Sequence, residues 1–146
     1  MLADKFNKQP SPQVANYAAN YHVHIYYEPG AASEATAKDL ARRLRATFPE
    51  GVTELREYDK PGGPHAVSNV AVHITREGLA DILPWLQAHH GGHAMLLHPK
   101  TGDVIKDHID FGTWIGPRRE GLLNADYFDR KRRERAAGPG TPPGGP

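Results

Sequence analysis

Histidines carry most of the chemical content of this sequence. The chain has nine histidines and no cysteine, which excludes disulfides, cysteine-ligated zinc or iron–sulfur sites and a thiol nucleophile. His22 and His24 lie one residue apart within residues 21–27, an aromatic and β-branched run typical of a strand. Side chains at i and i+2 of a strand point to the same side, so both imidazoles can bind one metal ion. The sequence therefore indicates metal chemistry, with imidazole proton transfer beside it.

The elements that would position these histidines form a repeating pattern. Strands are predicted over residues 21–27, 52–58, 67–75 and 93–98, with a short extended piece at 113–115. Apolar residues at helical spacing predict one helix after the first strand and a second after the third strand. The second helix should end before Gly91, and Pro84 predicts a kink or a late start in it.

This order of elements predicts the fold. Strand, helix, strand, strand, helix, strand is the ferredoxin-like α+β arrangement, βαββαβ, in which two helices cover one face of a four-stranded antiparallel sheet. The expected strand order is 4-1-3-2, so the first and third strands lie at the centre. The opposite face of the sheet is expected to be open.

Strand alternation then assigns the histidines to a face. His22 and His24 alternate with Val23 and Ile25, and His73 alternates with an apolar set on the third strand. Because the helices must cover the apolar side, these imidazoles should project from the open face. His98 on the fourth strand can lie beside the first-strand pair. The candidate metal ligands are His22 and His24, completed by His73 or His98.

Two further histidines are candidates for acid–base chemistry. His65 follows a Pro-Gly-Gly-Pro loop at residues 61–64 and could reach the rim of the open face. His108 is flanked by Asp107 and Asp110, and a carboxylate can fix the tautomer of a neighbouring imidazole. An ordinary loop histidine and a surface charge cluster are the alternative interpretations. We take His65 and His108 as the candidate catalytic residues.

Composition divides the chain into three segments: a flexible N-terminus at 1–11, a folded domain at 12–128 and a tail at 129–146. The tail carries five basic and two acidic residues up to Arg135 and is then almost entirely Gly and Pro. The basic run could extend a final helix, but such a composition favours a disordered tail. Because the net charge of the whole chain is only +1, the body has no basic footprint for nucleic acid. No apolar run suits a signal or membrane span, so we expect a soluble cytoplasmic protein without membrane partners.

Seven short motifs follow one another along the chain. They are YHVHIYY at 21–27, GPH at 63–65, VHI at 72–74, WL at 85–86, LLHPKTGD at 96–103, DH at 107–108 and WIG at 114–116. In this order they resemble the DOPA 4,5-dioxygenase family of small ferredoxin-like proteins from bacteria and fungi, and the resemblance extends over residues 21–123, nearly the whole predicted domain. The chain departs from the family pattern at Ala66, His89, His90 and Phe111, away from the strand histidines.

The resemblance implies a non-haem Fe(II) dioxygenase that performs extradiol cleavage of a catechol such as L-DOPA, with dioxygen as co-substrate. Zinc or another divalent metal could also occupy the site. Extradiol enzymes more usually use two histidines and one carboxylate, so a three-histidine site and a carboxylate such as Glu28 both remain open. A non-catalytic ferredoxin-like module that binds a metal or a small aromatic ligand is the alternative function. A second subunit often closes such a sheet face, so the fold also allows a homodimer.

Overall fold

The computed structural model describes residues 20–138, which form an α+β fold. Five strands and three α-helices follow one another, with a π-helical turn and a 3₁₀ turn in the last third of the described chain. Their bounds are β1 Asn20–Tyr26, α1 Ala32–Thr47, β2 Val52–Tyr58, β3 Asn69–Thr75, α2 Arg76–His89, β4 Met95–Pro99, the π-helix Lys106–Asp110, β5 Thr113–Ile115, the 3₁₀ turn Glu120–Leu122 and α3 Ala125–Ala137.

The strands form one antiparallel sheet in the order β2-β3-β1-β4-β5. The order predicted for the first four strands is therefore confirmed, and β1 and β3 are central. The predicted count of four strands is wrong, because the extended piece at 113–115 pairs with β4 as a fifth strand. Register brings His22 beside His73 on one side and beside His98 on the other.

The helices α1 and α2 pack on one face of the sheet and enclose the main core. Apolar side chains from all five strands meet the buried stripes of both helices there, among them Val23, Ile25, Val72, Leu40, Leu44, Ile82, Leu86, Met95 and Ile115. Burying each large side chain of this kind contributes roughly 1.5–3 kcal/mol. This face therefore supplies most of the hydrophobic stabilisation of the fold.

Helix α2 begins at Arg76, so the late start considered at Pro84 is wrong. The Thr75 hydroxyl accepts a hydrogen bond from the backbone N–H of Gly78 at 3.0 Å and caps the helix. A side-chain cap of this kind fixes the first turn eight residues before the proline. The helix ends at His89, two residues before the positive-φ Gly91 that was predicted to stop it.

The opposite face of the sheet is partly covered, which corrects the expectation of an open face and of only two helices. Five residues form a second, smaller cluster on this side: Tyr26, Leu96, Ile105, Leu123 and Phe128. The last three belong to the segment that contains the π-helix, the 3₁₀ turn and α3. The C-terminal segment therefore covers one part of this face and leaves a cleft over the other part.

Residues 129–137 are helical in α3, so the prediction of a disordered basic tail is wrong for this part. The side chain of Asn124 caps the helix by accepting from the N–H of Tyr127, and Phe128 is only 2% exposed. Arg135 also forms an ion pair with Asp103 at 2.6 Å. One buried anchor and local ion pairs thus hold a helix that has little apolar periodicity. The predicted tail at 139–146 and the predicted flexible segment at 1–11 lie outside the described residues.

Across residues 20–138, each helix falls short of the length and apolar character needed to cross a membrane.

Candidate metal centre

A cavity of about 530 Å³ lies on the partly covered face, over β1 and β4. Five of the nine histidines line it, together with the loop that follows β2 and the turn that follows β4. The lining side chains with polar or charged groups are His22, His24, Tyr58, Lys60, His65, Asn69, His98, Lys100, Asp107 and His108. Sequence reasoning therefore identified the histidines that surround this cavity.

Two overlapping groups of imidazoles in this cavity could hold a metal ion. One group is His22, His24 and His98, and the other is His24, His65 and His108. Within each group, one nitrogen from every ring lies within 4.8 Å of the others. His24 belongs to both groups, so it is the centre of the cluster.

Neither group among the described residues contains a carboxylate. Glu28 is exposed and lies in neither group, so the carboxylate considered from sequence is not placed at the centre. Asp107 lines the cavity, but its carboxylate accepts hydrogen bonds from the backbone N–H and the hydroxyl of Thr101. These bonds hold the turn after β4 and leave the imidazoles as the available ligands.

His73 belongs to neither group, although its ring contacts that of His22. Its ring stacks on that of His22 with centroids 3.9 Å apart, and its Nδ1 is 3.2 Å from the carboxylate of Glu54. Glu54 is on the edge strand β2, directly beside β3. The edge strand therefore offers His73 an acidic partner, whereas His98, the other histidine expected to complete the site, belongs to a group with His22 and His24.

Backbone and side-chain acceptors fix the tautomers of His24 and His98. Nδ1 of His24 donates to the side-chain oxygen of Asn69 at 2.9 Å, and Nδ1 of His98 donates to the carbonyl of Pro99 at 2.8 Å. Because both partners only accept, each Nδ1 carries the proton and each Nε2 presents a lone pair. The two Nε2 atoms are 2.9 Å apart. Two facing lone pairs at this distance repel each other unless a cation or a proton lies between them, so the donor set fits a bound metal ion.

Burial keeps these imidazoles neutral, which is the form that binds metals. Loss of hydration lowers the pKa of His22 to about 3, of His65 to about 3 and of His98 to about 2. Burial and the neighbouring imidazoles hold the pKa of His24 well below its usual value, and burial also lowers the pKa of His108. At neutral pH the cluster therefore presents unprotonated nitrogens rather than positive charges.

His65 and His108 hold their ring protons on different nitrogens. The carbonyl of Val104 accepts from Nδ1 of His108 at 2.9 Å, which leaves a lone pair on its Nε2. The hydroxyl of Tyr26 lies 2.7 Å from Nδ1 of His65 and has no other hydrogen-bond partner within residues 20–138. Donation to Nδ1 gives the hydroxyl proton an acceptor, and this arrangement leaves the proton of His65 on Nε2. One imidazole can accept a proton and the other can donate a hydrogen bond.

Asn69 and Tyr26 are functional partners that the sequence reasoning did not identify. Both lie on the histidine side of the sheet by strand alternation: Tyr26 is two residues after His24 on β1, and Asn69 pairs with Tyr26 from β3. Their positions on the histidine side of the sheet were a usable signal. Their hydrogen bonds orient His65 and His24, a role that second-sphere groups commonly have at metal sites.

Comparison with known proteins agrees with this arrangement. Residues 21–125 match the sequence profile of the Dopa 4,5-dioxygenase family. A DOPA 4,5-dioxygenase from Amanita muscaria is 32% identical over 103 residues, which is 66% of this chain and 45% of that protein. The chain thus matches less than half the length of that relative.

A crystal structure from Nostoc punctiforme, of a protein provisionally described as a dioxygenase, superposes with a TM-score of 0.62. It is 27% identical in sequence, and the alignment covers 84% of this chain and 99% of that chain. The motifs that carry the resemblance in the sequence lie within the matched range and contribute the imidazoles of the cavity. The chain belongs to the Dopa 4,5-dioxygenase family.

Proposed function

We propose that this protein is a metal-dependent dioxygenase that cleaves a catechol ring at the extradiol position. The observation that carries the proposal is the pair of facing Nε2 atoms of His24 and His98, 2.9 Å apart in a cavity lined by imidazoles. Membership of a dioxygenase family supports the class of reaction. A cavity of about 530 Å³ falls within the range of small-molecule sites, roughly 300–1,000 Å³.

His22, His24 and His98 are the proposed ligands. His22 has no hydrogen bond within residues 20–138, and the other two rings present Nε2 lone pairs, so all three can bind without a change of tautomer. The group formed with His65 is the less suitable one, because the Tyr26 hydroxyl leaves the proton of His65 on Nε2. Imidazole donors suit Fe(II), which we propose as the native metal, and zinc would suit the same donors. Bound Fe(II) would supply the redox chemistry with dioxygen that no side chain of this cavity can perform.

His65 and His108 are the proposed proton-transfer residues. Nε2 of His108 has the lone pair needed to accept a hydroxyl proton from a catechol, since the carbonyl of Val104 holds its other nitrogen. Nε2–H of His65 can donate to a substrate oxygen, and the Tyr26 hydroxyl behind it fixes that orientation. The protein therefore offers a proton acceptor and a hydrogen-bond donor close together in the same cavity.

Anaerobic reconstitution with Fe(II), followed by a panel of catechols, tests the proposal. We expect one bound iron per chain, oxygen uptake on aeration and a yellow semialdehyde product with the mass of the catechol plus two oxygen atoms. His24→Ala should lose both iron binding and ring cleavage. His89→Ala is the matched control, because His89 lies exposed on α2 and outside the cavity.

Two results would contradict the proposal. Full iron binding and turnover in His24→Ala would remove the assigned centre. Iron-loaded protein that leaves every catechol unchanged would instead identify a non-catalytic module that binds a metal or an aromatic ligand.

A further inference from the structure

Two lysines line the cavity, and within residues 20–138 neither has a partner for its charge. Lys60 follows β2 and Lys100 follows β4, and both are exposed. Neither ammonium group forms an ion pair or a side-chain hydrogen bond with another residue in the 20–138 range. These two positive charges are therefore available to a ligand in the cavity.

The cavity has no comparable negative charge to offer. Asp107 is the one carboxylate among the described lining residues, and it is 4% exposed and hydrogen bonded to Thr101. If the proposed centre binds its metal through neutral imidazoles alone, the ligands also leave the full charge of a divalent cation in place. The lining thus combines uncompensated positive charge with the absence of a free carboxylate.

We propose that this cavity selects catechols whose ring substituent is an anion and discriminates against substituents that carry an ammonium group. The inference rests on the proposed function, since it concerns the substituent of the same catechol. L-DOPA carries both a carboxylate and an ammonium group, so the lysines can serve only its carboxylate. A substrate with the carboxylate alone fits the charges of the cavity better.

The two lysines lie toward opposite ends of the cleft. Lys100 is near the start of β1, since its backbone N–H donates to the carbonyl of Asn20 at 2.9 Å. Lys60 is near the other end of β1, because Tyr58 pairs with Asn69 and Asn69 pairs with Tyr26. A ring held at the imidazoles can therefore direct its substituent toward one lysine or the other.

Binding of three matched catechols to the zinc-loaded protein tests this charge selection without turnover. Dihydrocaffeate, L-DOPA and dopamine share the ring and the two-carbon spacer and carry, respectively, a carboxylate, both charged groups and an ammonium group. We expect calorimetry to give the tightest dissociation constant for dihydrocaffeate, with L-DOPA weaker by about fivefold and dopamine weaker again by a similar factor, as for partly exposed ion pairs. The differences should shrink at high salt, because exposed charges are screened.

Lysine variants identify the group responsible. Either Lys60→Gln or Lys100→Gln should remove the preference for the anionic substituent. The variant that removes it shows which lysine the substituent contacts. The arginine variant at the same position should retain the preference. Lys131→Gln is the matched control, since it makes the same charge change on α3 outside the cavity. It should leave all three affinities unchanged.

The outcomes separate this inference from the proposed function. Equal affinity for the three compounds, or a preference that survives both glutamine variants, would overturn the charge selection while leaving a catechol site in place. Failure of every catechol to bind would overturn the proposed function and the charge selection with it.

Discussion

Two helices enclose one face of the sheet and the C-terminal segment partly covers the other, and the two faces have different roles. His24 and Ile25 are adjacent on β1 and are 5% and 0% exposed, yet one lies in the imidazole cluster and the other in the main core. Ile25 is stabilised by removal from water alone. His24 loses hydration on burial, and this cost is offset only if both ring nitrogens have partners. Asn69 is the partner of Nδ1, and Nε2 requires a further one. Because side chains alternate along β1, residues facing the helices stabilise the fold, and the residues between them form the imidazole cluster.

This difference implies that stability and function can be removed separately at neighbouring positions. Ile25→Ala should lower the free energy of unfolding by about 2–5 kcal/mol, because it leaves a cavity in the main core. His24→Ala should lower metal affinity by more than about 100-fold, beyond the usual effect of a second-sphere change. Chemical denaturation and metal titration measure the two effects. A comparable loss of metal affinity in folded Ile25→Ala would contradict the separation.

Acid should destabilise the metal-free protein mainly through protonation of the buried histidines in the cavity. Burial lowers the pKa of His65 to about 3 and of His98 to about 2, from 6.5 in the unfolded chain. The unfolded state therefore binds more protons below pH 6.5, so stability is present above that pH and is lost as the pH falls toward 3. Each histidine should contribute on the order of 1 kcal/mol per pH unit in this window. Denaturation curves at several pH values test this, and a shallower slope is expected for His98→Gln.

Substitutions of two polar side chains of β3 should have smaller effects, one on metal affinity and the other on stability. Asn69→Ala removes the acceptor that orients His24 and should weaken metal binding by about 10–100-fold. Thr75→Ala removes the cap of α2 on the opposite side and should cost about 1 kcal/mol of stability without changing metal affinity. Metal titration and thermal unfolding of both variants measure the contrast. Unchanged metal affinity in Asn69→Ala would show that His24 does not depend on this hydrogen bond.

The smallest expected effect comes from removing the hydroxyl group of one of two adjacent tyrosines, Tyr26 or Tyr27. Tyr26→Phe retains the ring in the second apolar cluster but loses the donor to His65, so kcat should fall about fivefold, as for one hydrogen bond. Tyr27→Phe loses a hydrogen bond to Asp59 away from the cavity and should leave kcat unchanged. Nitrogen NMR of the metal-free protein should show a mixture of His65 tautomers only in Tyr26→Phe. An unchanged tautomer there would contradict the positioning role of Tyr26.

The sequence was sufficient to predict much of the sheet and part of the cavity. The order of elements gave the order of β1 to β4, whereas strand alternation gave the shared face of His22 and His24 but did not decide the face of His98. It also placed His73 on this face, but could not show that Glu54 of the neighbouring edge strand would be its partner. Pairing between strands decides such contacts, and a single sequence carries no direct signal for it.

The C-terminal segment was the part that sequence patterns could not predict. Residues 103–116 lack a clear period, and the π-helix that carries His108 depends on contacts between its own turn and the sheet. Helix α3 has one fully buried anchor, Phe128, within a strongly charged sequence. Its placement follows from the second apolar cluster and the Arg135–Asp103 ion pair, which join residues far apart in the chain. Long-range contacts of this kind leave little trace in local composition.

The membership of His24 in both imidazole groups limits how the site can respond to change. Its single available lone pair can serve one ion at a time, so the two groups cannot be filled together. They are instead overlapping candidate positions for one ion, and in a variant that loses His22 the second trio could bind it only after the proton of His65 moves from Nε2 to Nδ1. Substitution of His24, which both groups share, should therefore reduce metal binding more than substitution of any other imidazole of the cluster within residues 20–138.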